Sequence, residues 1–204
     1  ELIYSNDGII MNSVTMTNTT GSNWVGEVPE SYYKDGDSFG YIVAAFDNAG
    51  QTDTSSLSML FVGNTPISNI KTIKEDGTLD LTGVMARVTG TVSAGSGTYS
   101  TGRIEAYMQD ETAGVLVIAF GTETPAMVEN NSYTVTGKII QYNGLIEIEP
   151  VTPATDIVDN GAATALVPML LTIDQINANP EDYEARLVRV NRAELSSSTA
   201  WLAG

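Results

Sequence analysis

The sequence predicts an all-β protein that is built around a five-stranded barrel at residues 84–149. Apolar and polar residues alternate through the first strand around Val88, and this period of two is typical of a strand with one buried face. Gly90 interrupts that strand, which predicts a bulge or sharp bend that lets one long strand serve both sides of a small barrel. Asn143-Gly144 is the strongest short signal for a hairpin and closes the region.

The five strand-like runs of this region follow one another in a fixed order. They are VMARVTGTVSA, GRIEAYMQD, GVLVIAF, NSYTVTGKII and GLIEIEP. A hairpin joins the second run to the third, and GTETPAMVENN leaves room for about one or two helical turns before the fourth. Three strands in a meander, a short helical insertion and a closing hairpin are the order of an OB barrel.

The barrel region also resembles a known group of domains. The runs TGVMARVTGTVSAG, IEAYMQDETAGVLVIAF and NSYTVTGKIIQYNGLIEIEP are similar to the OB-like domains found beside secreted bacterial nucleases and in multidomain surface proteins. Within this similarity, at residues 65–160, the most specific parts are Gln109-Asp110 before Gly114, and the turn at residues 142–144. The resemblance implies an OB-like fold and an extracellular or cell-surface location, and it implies no catalytic residue.

Residues 1–63 are predicted to form an incomplete immunoglobulin/fibronectin-like β-sandwich. The predicted strands are Leu2 to Ser5, Ile9 to Thr17, Asn23 to Val28, Ser38 to Phe46 and Ser56 to Val62. Residues 24–50 resemble the last half of such a module, and the resemblance implies that Trp24, Tyr41, Val43 and Ala45 face the core. Five strands are fewer than the usual seven, so the opening strands of the sandwich are missing.

The OB-like barrel is assigned to residues 64–160, with a short helix around Ile67 and Ile70 across its mouth. Residues 161–204 are predicted to be a helix-strand extension or the start of a second OB-like domain. Thr172 and Gln175 have the spacing of a capping box, and an alternating strand is predicted to follow at residues 187–195.

Charge and composition exclude several kinds of site. The chain has 9 Lys and Arg against 25 Asp and Glu, a formal net charge of -16, which argues against nucleic acid as a partner because phosphates are bound chiefly by cations. Cysteine and histidine are absent, so disulfides, thiolate nucleophiles and His-based catalysis are excluded. The prediction is a protein that is not an enzyme and holds no cofactor. The composition also suits an exported bacterial protein, and no apolar run is long enough for a membrane span.

One candidate ligand site is an outward-facing aromatic and basic surface on the barrel. Arg87, Arg103, Tyr107 and Tyr142 are its predicted members, because OB folds bind single strands by stacking bases on aromatic rings beside cations. The competing interpretation is that these residues are simply the polar side of the barrel.

Two acidic pairs are also candidate sites. Asp47 and Asp53 are the candidates for a calcium site, against the simpler interpretation that Asp is a good turn former. Glu147 and Glu149 point to the same side of one strand and have the chemistry of a catalytic carboxylate pair, although a solvated strand face explains them equally well.

The leading functional hypothesis is a structural or adhesive β-module of an exported bacterial surface protein. Its expected partners are neighbouring domains or copies of the same protein, and a sharper version has copies joined into a filament by strand addition. The alternative is an accessory domain of a secreted nuclease that binds single-stranded nucleic acid or polysaccharide.

Overall fold

The computed structural model describes residues 1–6 and 11–192. The strands are β1 (Leu2–Ser5), β2 (Asn12–Val14), β3 (Thr17–Thr20), β4 (Asn23–Val25), β5 (Ser38–Phe46), β6 (Thr52–Thr54), β7 (Ser58–Phe61), β8 (Met85–Ala94), β9 (Arg103–Gln109), β10 (Gly114–Phe120), β11 (Asn131–Tyr142), β12 (Leu145–Glu149), β13 (Ile157–Ala162), β14 (Met169–Leu171) and β15 (Val188–Val190). The helices are α1 (Pro153–Asp156), α2 (Ile173–Ala178) and α3 (Pro180–Tyr183), with 3-10 turns at Glu30–Tyr32 and Ile67–Ile70.

The predicted all-β fold and its five-stranded barrel are confirmed. The barrel closes in the order β8, β9, β10, β12, β11 and back to β8, with β10 and β12 parallel and every other pair antiparallel. The bulge predicted at Gly90 lies instead between Val92 and Ala94. Gly90 is needed for a different reason, since a Cβ there would lie 2.8 Å from the carbonyl oxygen of Gln109.

The barrel interior is filled by aliphatic side chains that alternate along each strand. The predicted short helix is a 3-10 turn, and both Ile67 and Ile70 are fully buried in the core. The turn is held in place because the Ile67 N–H donates to the Asp110 carboxylate (2.9 Å) and the Thr65 N–H donates to the Arg87 carbonyl (2.7 Å). These bonds join the segment before the barrel to β8 and to the β9–β10 turn.

The N-terminal strands form a sheet beside the barrel. Strands β2, β1, β5 and β7 are antiparallel neighbours, β6 also pairs with β5, and a single parallel bridge joins β7 to β8. Strands β3 and β4 pair only with each other in the described residues. An immunoglobulin-like sandwich is therefore not confirmed.

The predicted core of this region is wrong at Trp24 and Ala45. Trp24 is 58% exposed and Ala45 is also exposed, whereas Tyr4, Phe39 and Ala44 are buried. Trp24 lies on the β3–β4 hairpin, whose strands pair with no other strand in the described part of the chain. Tyr4 and Phe39 stack with ring centroids 5.7 Å apart and form the centre of the small apolar cluster instead.

The C-terminal part extends the barrel. Strand β13 pairs with β11, and β14 pairs in parallel with β15 across α2 and α3. The predicted capping box of α2 is present, since Gln175 N–H donates to Thr172 Oγ1 and Thr172 N–H donates to Gln175 Oε1. The domain boundaries at 63/64 and 160/161 stay predictions, and residues 193–204, which include the last three residues of the predicted strand at 187–195, lie outside the described residues.

Candidate functional site

The outer side of β9, β10 and β12 forms one continuous surface, called here the β9–β10 face. Strand pairing sets Tyr107 beside Leu116 and Leu116 beside Glu147, so these three side chains form a row across the barrel. The other members of the face lie in adjacent rows and are Arg103, Glu105, Ile118 and Phe120. The shared outward direction follows from the period of two along each strand.

Aromatic rings stand at both ends of this face. Tyr99, from the loop between β8 and β9, is 67% exposed and packs edge-on against Tyr107 with ring centroids 5.7 Å apart. Phe120 is 66% exposed, and the guanidinium of Arg103 lies 5.7 Å from its ring centroid. Two solvent-facing rings on an otherwise packed strand surface are suitable for stacking a flat ligand.

The Arg103 guanidinium is already paired. Its Nη2 lies 2.5 Å from Glu105 Oε2, and its Nε donates to the same oxygen at 2.8 Å. Ser100 Oγ donates to that oxygen at 2.6 Å. The hydrogen bond from Ser100 lowers the pKa of Glu105, burial opposes this, and Arg103 adds to the lowering. Arg103 therefore presents a neutralised pair, and not a free cation, to a ligand.

Glu147 is the unusual carboxylate of the face. Only 6% of it is exposed, and it accepts no hydrogen bond from the part of the chain that the structure describes. Burial raises the pKa of Glu147, and the nearby carboxylates of Glu105 and Glu149 raise it further, with Arg103 acting in the opposite direction. The interpretation of Glu147 as part of a solvated strand face is wrong, because Leu116 and Ile140 flank it on the neighbouring strands. A catalytic role for Glu147 and Glu149 stays untested.

One end of the face is crossed by residues 183–187, called here the C-terminal strap. Leu187 N–H donates to Gln109 Oε1 (2.7 Å), and Arg186 donates to the carbonyls of Thr112 (3.2 Å) and Glu111 (3.3 Å). A Cβ on Gly114 would lie 2.3 Å from the Ala185 carbonyl oxygen, so only glycine lets the strap approach β10 this closely.

An ion pair fixes the strap at its other end. Lys71 Nζ lies 3.0 Å from Glu184 Oε2, with only 9% and 19% of the two side chains exposed. Lys71 also donates to the carbonyls of Gly114 and Glu184. A cleft of about 320 Å³ remains between the strap and the pair of Tyr99 and Tyr107.

The sequence signals at Gln109 and Gly114 therefore have a structural explanation. They belong to the motif that carries the family resemblance, and both contact the strap. The strap was missed because its contacts are about 75 residues apart in the chain, as the pairs Arg186–Glu111 and Leu187–Gln109 show. One signal was available, since 3 of the 9 cationic residues lie at Arg186, Arg189 and Arg192.

The structure places the predicted binding residues on the outer surface but does not bring them together. Arg103 and Tyr107 share the β9–β10 face. Arg87 lies on the part of β8 that pairs with β11, opposite Thr136, and Tyr142 lies at the β11–β12 turn. The separation arises because β8 changes partner from β11 to β9 along its length, which carries Arg87 around the barrel.

Asp47 and Asp53 serve as turn residues. Asp47 Oδ1 accepts the N–H groups of Ala49 and Gln51, both at 2.8 Å, and Asp53 Oδ1 accepts that of Thr54 at 2.9 Å. Within residues 1–6 and 11–192, no group of three or more acidic side chains is arranged to hold a metal ion. Calcium binding at these positions stays a prediction. Across the same residues, no helix has both the length and the apolar character needed to cross a membrane.

Comparison with known proteins gives a relative in sequence. The chain matches no protein-family profile. It is 34% identical over 106 residues to Endonuclease YhcR of Bacillus subtilis (strain 168), a match that covers 50% of this chain and 9% of that protein. The chain therefore spans less than a tenth of the length of this relative.

Solved structures give looser overlaps. The structure of a murine DNA binding protein bound with ds DNA overlaps with a TM-score of 0.36 and 12% identity, covering 64% of this chain and 73% of that one. The Ifi202 HINa domain in complex with 20bp dsDNA overlaps with a TM-score of 0.32 and 13% identity, covering 66% and 73%. Overlaps this loose indicate nothing about a ligand.

Two of the predictions are corrected by these findings. The structural or adhesive module, with its filament, is wrong as the leading function, and the prediction that nucleic acid is an unlikely partner is also wrong, because a relative in sequence is a nuclease. A net charge of -16 is a sum over the whole chain and does not give the charge of any one surface. The similarity to a bacterial nuclease and the OB-like barrel agree with the predicted resemblance.

Proposed function

We propose that this chain is an accessory module of an exported bacterial nuclease and binds single-stranded nucleic acid on the β9–β10 face. The observation that carries the proposal is the pair of exposed rings, Tyr99 and Phe120, on the second and third strands of an OB barrel and the loop before them. That is the region through which OB folds bind oligonucleotides. The sequence similarity to an endonuclease supports the same class of ligand.

The charges on this face favour contact through bases over contact through phosphates. Glu105 neutralises Arg103, and Glu147 adds a second carboxylate at the centre of the face. Stacking on aromatic rings does not require a cation, since every base has a π-face. A cation lies at the edge instead, since Arg186 belongs to the strap. The strand is therefore proposed to turn its bases inward and its phosphates toward the rim.

The proposal assigns binding to this chain and hydrolysis to another part of the parent protein. Without histidine or cysteine the chain lacks the usual general bases and nucleophiles. A binding module that holds the substrate strand near a separate catalytic domain raises its effective concentration there.

The test is binding of a fluorescent oligothymidylate at low salt, followed by anisotropy. Tyr99→Ala and Phe120→Ala are each expected to weaken binding by about 5- to 150-fold, since stacking one base on an aromatic ring contributes about 1–3 kcal/mol. Both residues are exposed, so folding should be unaffected, which circular dichroism checks.

The matched control is Phe46→Ala, because Phe46 is 57% exposed but lies on the N-terminal sheet. Its affinity should equal that of the unchanged protein. Equal losses in all three variants would contradict binding at the β9–β10 face. Binding of a neutral oligosaccharide with no binding of the oligothymidylate would overturn the nucleic-acid proposal in favour of a polysaccharide ligand.

A further inference from the structure

We propose that Glu147 selects the base that stacks on Tyr107, and that the preferred base is guanine. This inference rests on the proposed function, because it names the base that the same face recognises. It depends on the position of Glu147, on its lack of a partner and on the donor pattern of the four bases.

The position of Glu147 is fixed by strand pairing. Tyr107, Leu116 and Glu147 form one row on adjacent strands of the β9–β10 face. Two strand spacings of about 4.8 Å each, about 10 Å in all, separate the backbones of Tyr107 and Glu147, a distance that a purine and the glutamate side chain span together. Leu116 lies between them and is covered by its neighbours, with 4% exposed, so a base stacked on Tyr107 would reach past it and direct its edge at the Glu147 carboxylate.

Glu147 is buried without a hydrogen-bond donor among the described residues, unlike its neighbours. Glu105 is held by Ser100 and Arg103, and Glu184 is held by Lys71. Glu149 lies two residues further along β12 and is more exposed. Because burying a polar group without a hydrogen bond costs free energy, a carboxylate in this position is stabilised when a ligand supplies donors. The Glu147 oxygens are not among the fully inaccessible unpaired atoms of the described chain, so they keep a small solvent-accessible area.

The chemistry of the carboxylate points to guanine. An ionised carboxylate only accepts hydrogen bonds and has two oxygens that suit a pair of parallel donors. The Watson–Crick edge of guanine offers two adjacent donors, the N1–H and the N2 amino group. Adenine and cytosine each place one amino donor beside an acceptor nitrogen, and thymine places its imino donor between two carbonyls. Guanine is thus the base whose edge matches an ionised carboxylate at both oxygens.

The pairing requires that Glu147 be ionised. Burial raises its pKa, and the charged groups that act on it are Glu105 and Arg103 on β9 and Glu149 on β12, with the phenol of Tyr107 also close by. Lys138 on β11 stands opposite Glu149, and Glu184 of the strap accepts the Ile146 N–H. The preference for guanine is therefore expected to decline on acidification, and the decline should begin above the ordinary glutamate pKa of about 4.3. Protonation gives the carboxyl a donor that faces the N1–H of guanine.

The experiment compares oligothymidylate of about 12 nucleotides, a site size within the range of one OB fold, with the same oligomer carrying two central guanines. The unchanged protein should bind the guanine oligomer about tenfold more tightly, within the range of a good two-point contact to a base. Glu147→Gln should abolish this preference, because an amide presents one donor and one acceptor. Glu149→Gln removes the same charge from the same strand and should keep the preference.

The arms separate this inference from the proposed function. No binding of plain oligothymidylate by the unchanged protein would reject the proposed function itself. Binding of both oligomers with equal affinity would reject only the selection of guanine. Replacing the two guanines by inosine, which lacks the N2 amino group, should lose most of the preference, and a preference that survives in inosine or in Glu147→Gln would overturn the role of Glu147.

Discussion

Replacing Lys71 by Met is expected to destabilise the docked C-terminal strap by about 3 kcal/mol or more. Lys71 and Glu184 form an ion pair at 3.0 Å with both side chains largely buried. Removing one partner of a buried pair leaves the other charge without compensation, which costs about 3–5 kcal/mol. Lys71 also supplies donors to the carbonyls of Gly114 and Glu184, which the thioether of Met does not replace.

Hydrogen exchange of the Leu187 amide measures this effect, because that N–H is bonded to Gln109 only while the strap is docked. Lys74→Met is the matched control, since Lys74 and Asp80 form an exposed pair at 3.6 Å and an exposed pair contributes about 1 kcal/mol at most. The double change Lys71→Met with Glu184→Leu should recover most of the loss, because it leaves no unpaired charge. Unaltered exchange at Leu187 in Lys71→Met would contradict a stabilising role for the pair.

Replacing Gly137 by Ala is expected to lower the free energy of unfolding of the barrel by about 3 kcal/mol. A Cβ at this position would lie 2.6 Å from the Glu149 carbonyl oxygen and 2.9 Å from the Pro150 nitrogen. Both contacts are with backbone, so relief requires β11 and β12 to move apart where they are paired. Forcing extra volume into a packed site typically costs about 1–3 kcal/mol, and backbone neighbours place this case at the upper end.

Urea unfolding, followed by far-UV circular dichroism, measures the free energy of unfolding. Thr136→Ala, at the adjacent outward-facing position of β11, is the control and should change stability by well under half as much. If Gly137→Ala is as stable as the unchanged protein, the prediction is wrong and the end of β12 can move away from the added Cβ at no cost in stability.

The barrel could be predicted because core residues recur at every second position along its strands. Val88 and Val92 on β8, and Ile146 and Ile148 on β12, are fully buried, while their neighbours point outward. The β11–β12 hairpin could be predicted because Asn143 and Gly144 both adopt positive φ, of 51° and 94°, which few residue pairs tolerate. Both signals depend only on residues that are close together in the chain, so a single sequence shows them.

The N-terminal core could not be predicted in the same way. Phe39 and Ala44 are both buried, although they are five residues apart and strict alternation would point them to opposite faces of β5. Between these two residues β5 changes its partner from β7 to β6. A resemblance placed Trp24 in a sandwich whose second layer the described residues do not form. Periodicity cannot reveal which face a strand buries when its neighbours change.

The sequence predicted which side chains of the candidate site point outward, but not how they interact with one another. Alternation correctly turned Arg103 and Tyr107 outward. It could not show that Glu105 neutralises Arg103, that Phe120 stands beside it, or that Glu147 is buried on an outward face. Those properties depend on contacts between side chains on three neighbouring strands. Which strands are neighbours is decided when the barrel closes, and a local sequence pattern does not show it.

The place of β12 in the barrel also has a consequence for synthesis on the ribosome. Strand β12 pairs with β10 on one side and β11 on the other, although it is the last of the five to be made. Until residue 149 has emerged, β10 and β11 each carry an open edge that invites pairing with another nascent chain. The two-residue turn after Tyr142 shortens this interval, because it lets β12 pair with β11 directly after synthesis. Once β12 also pairs with β10, neither strand has an open edge.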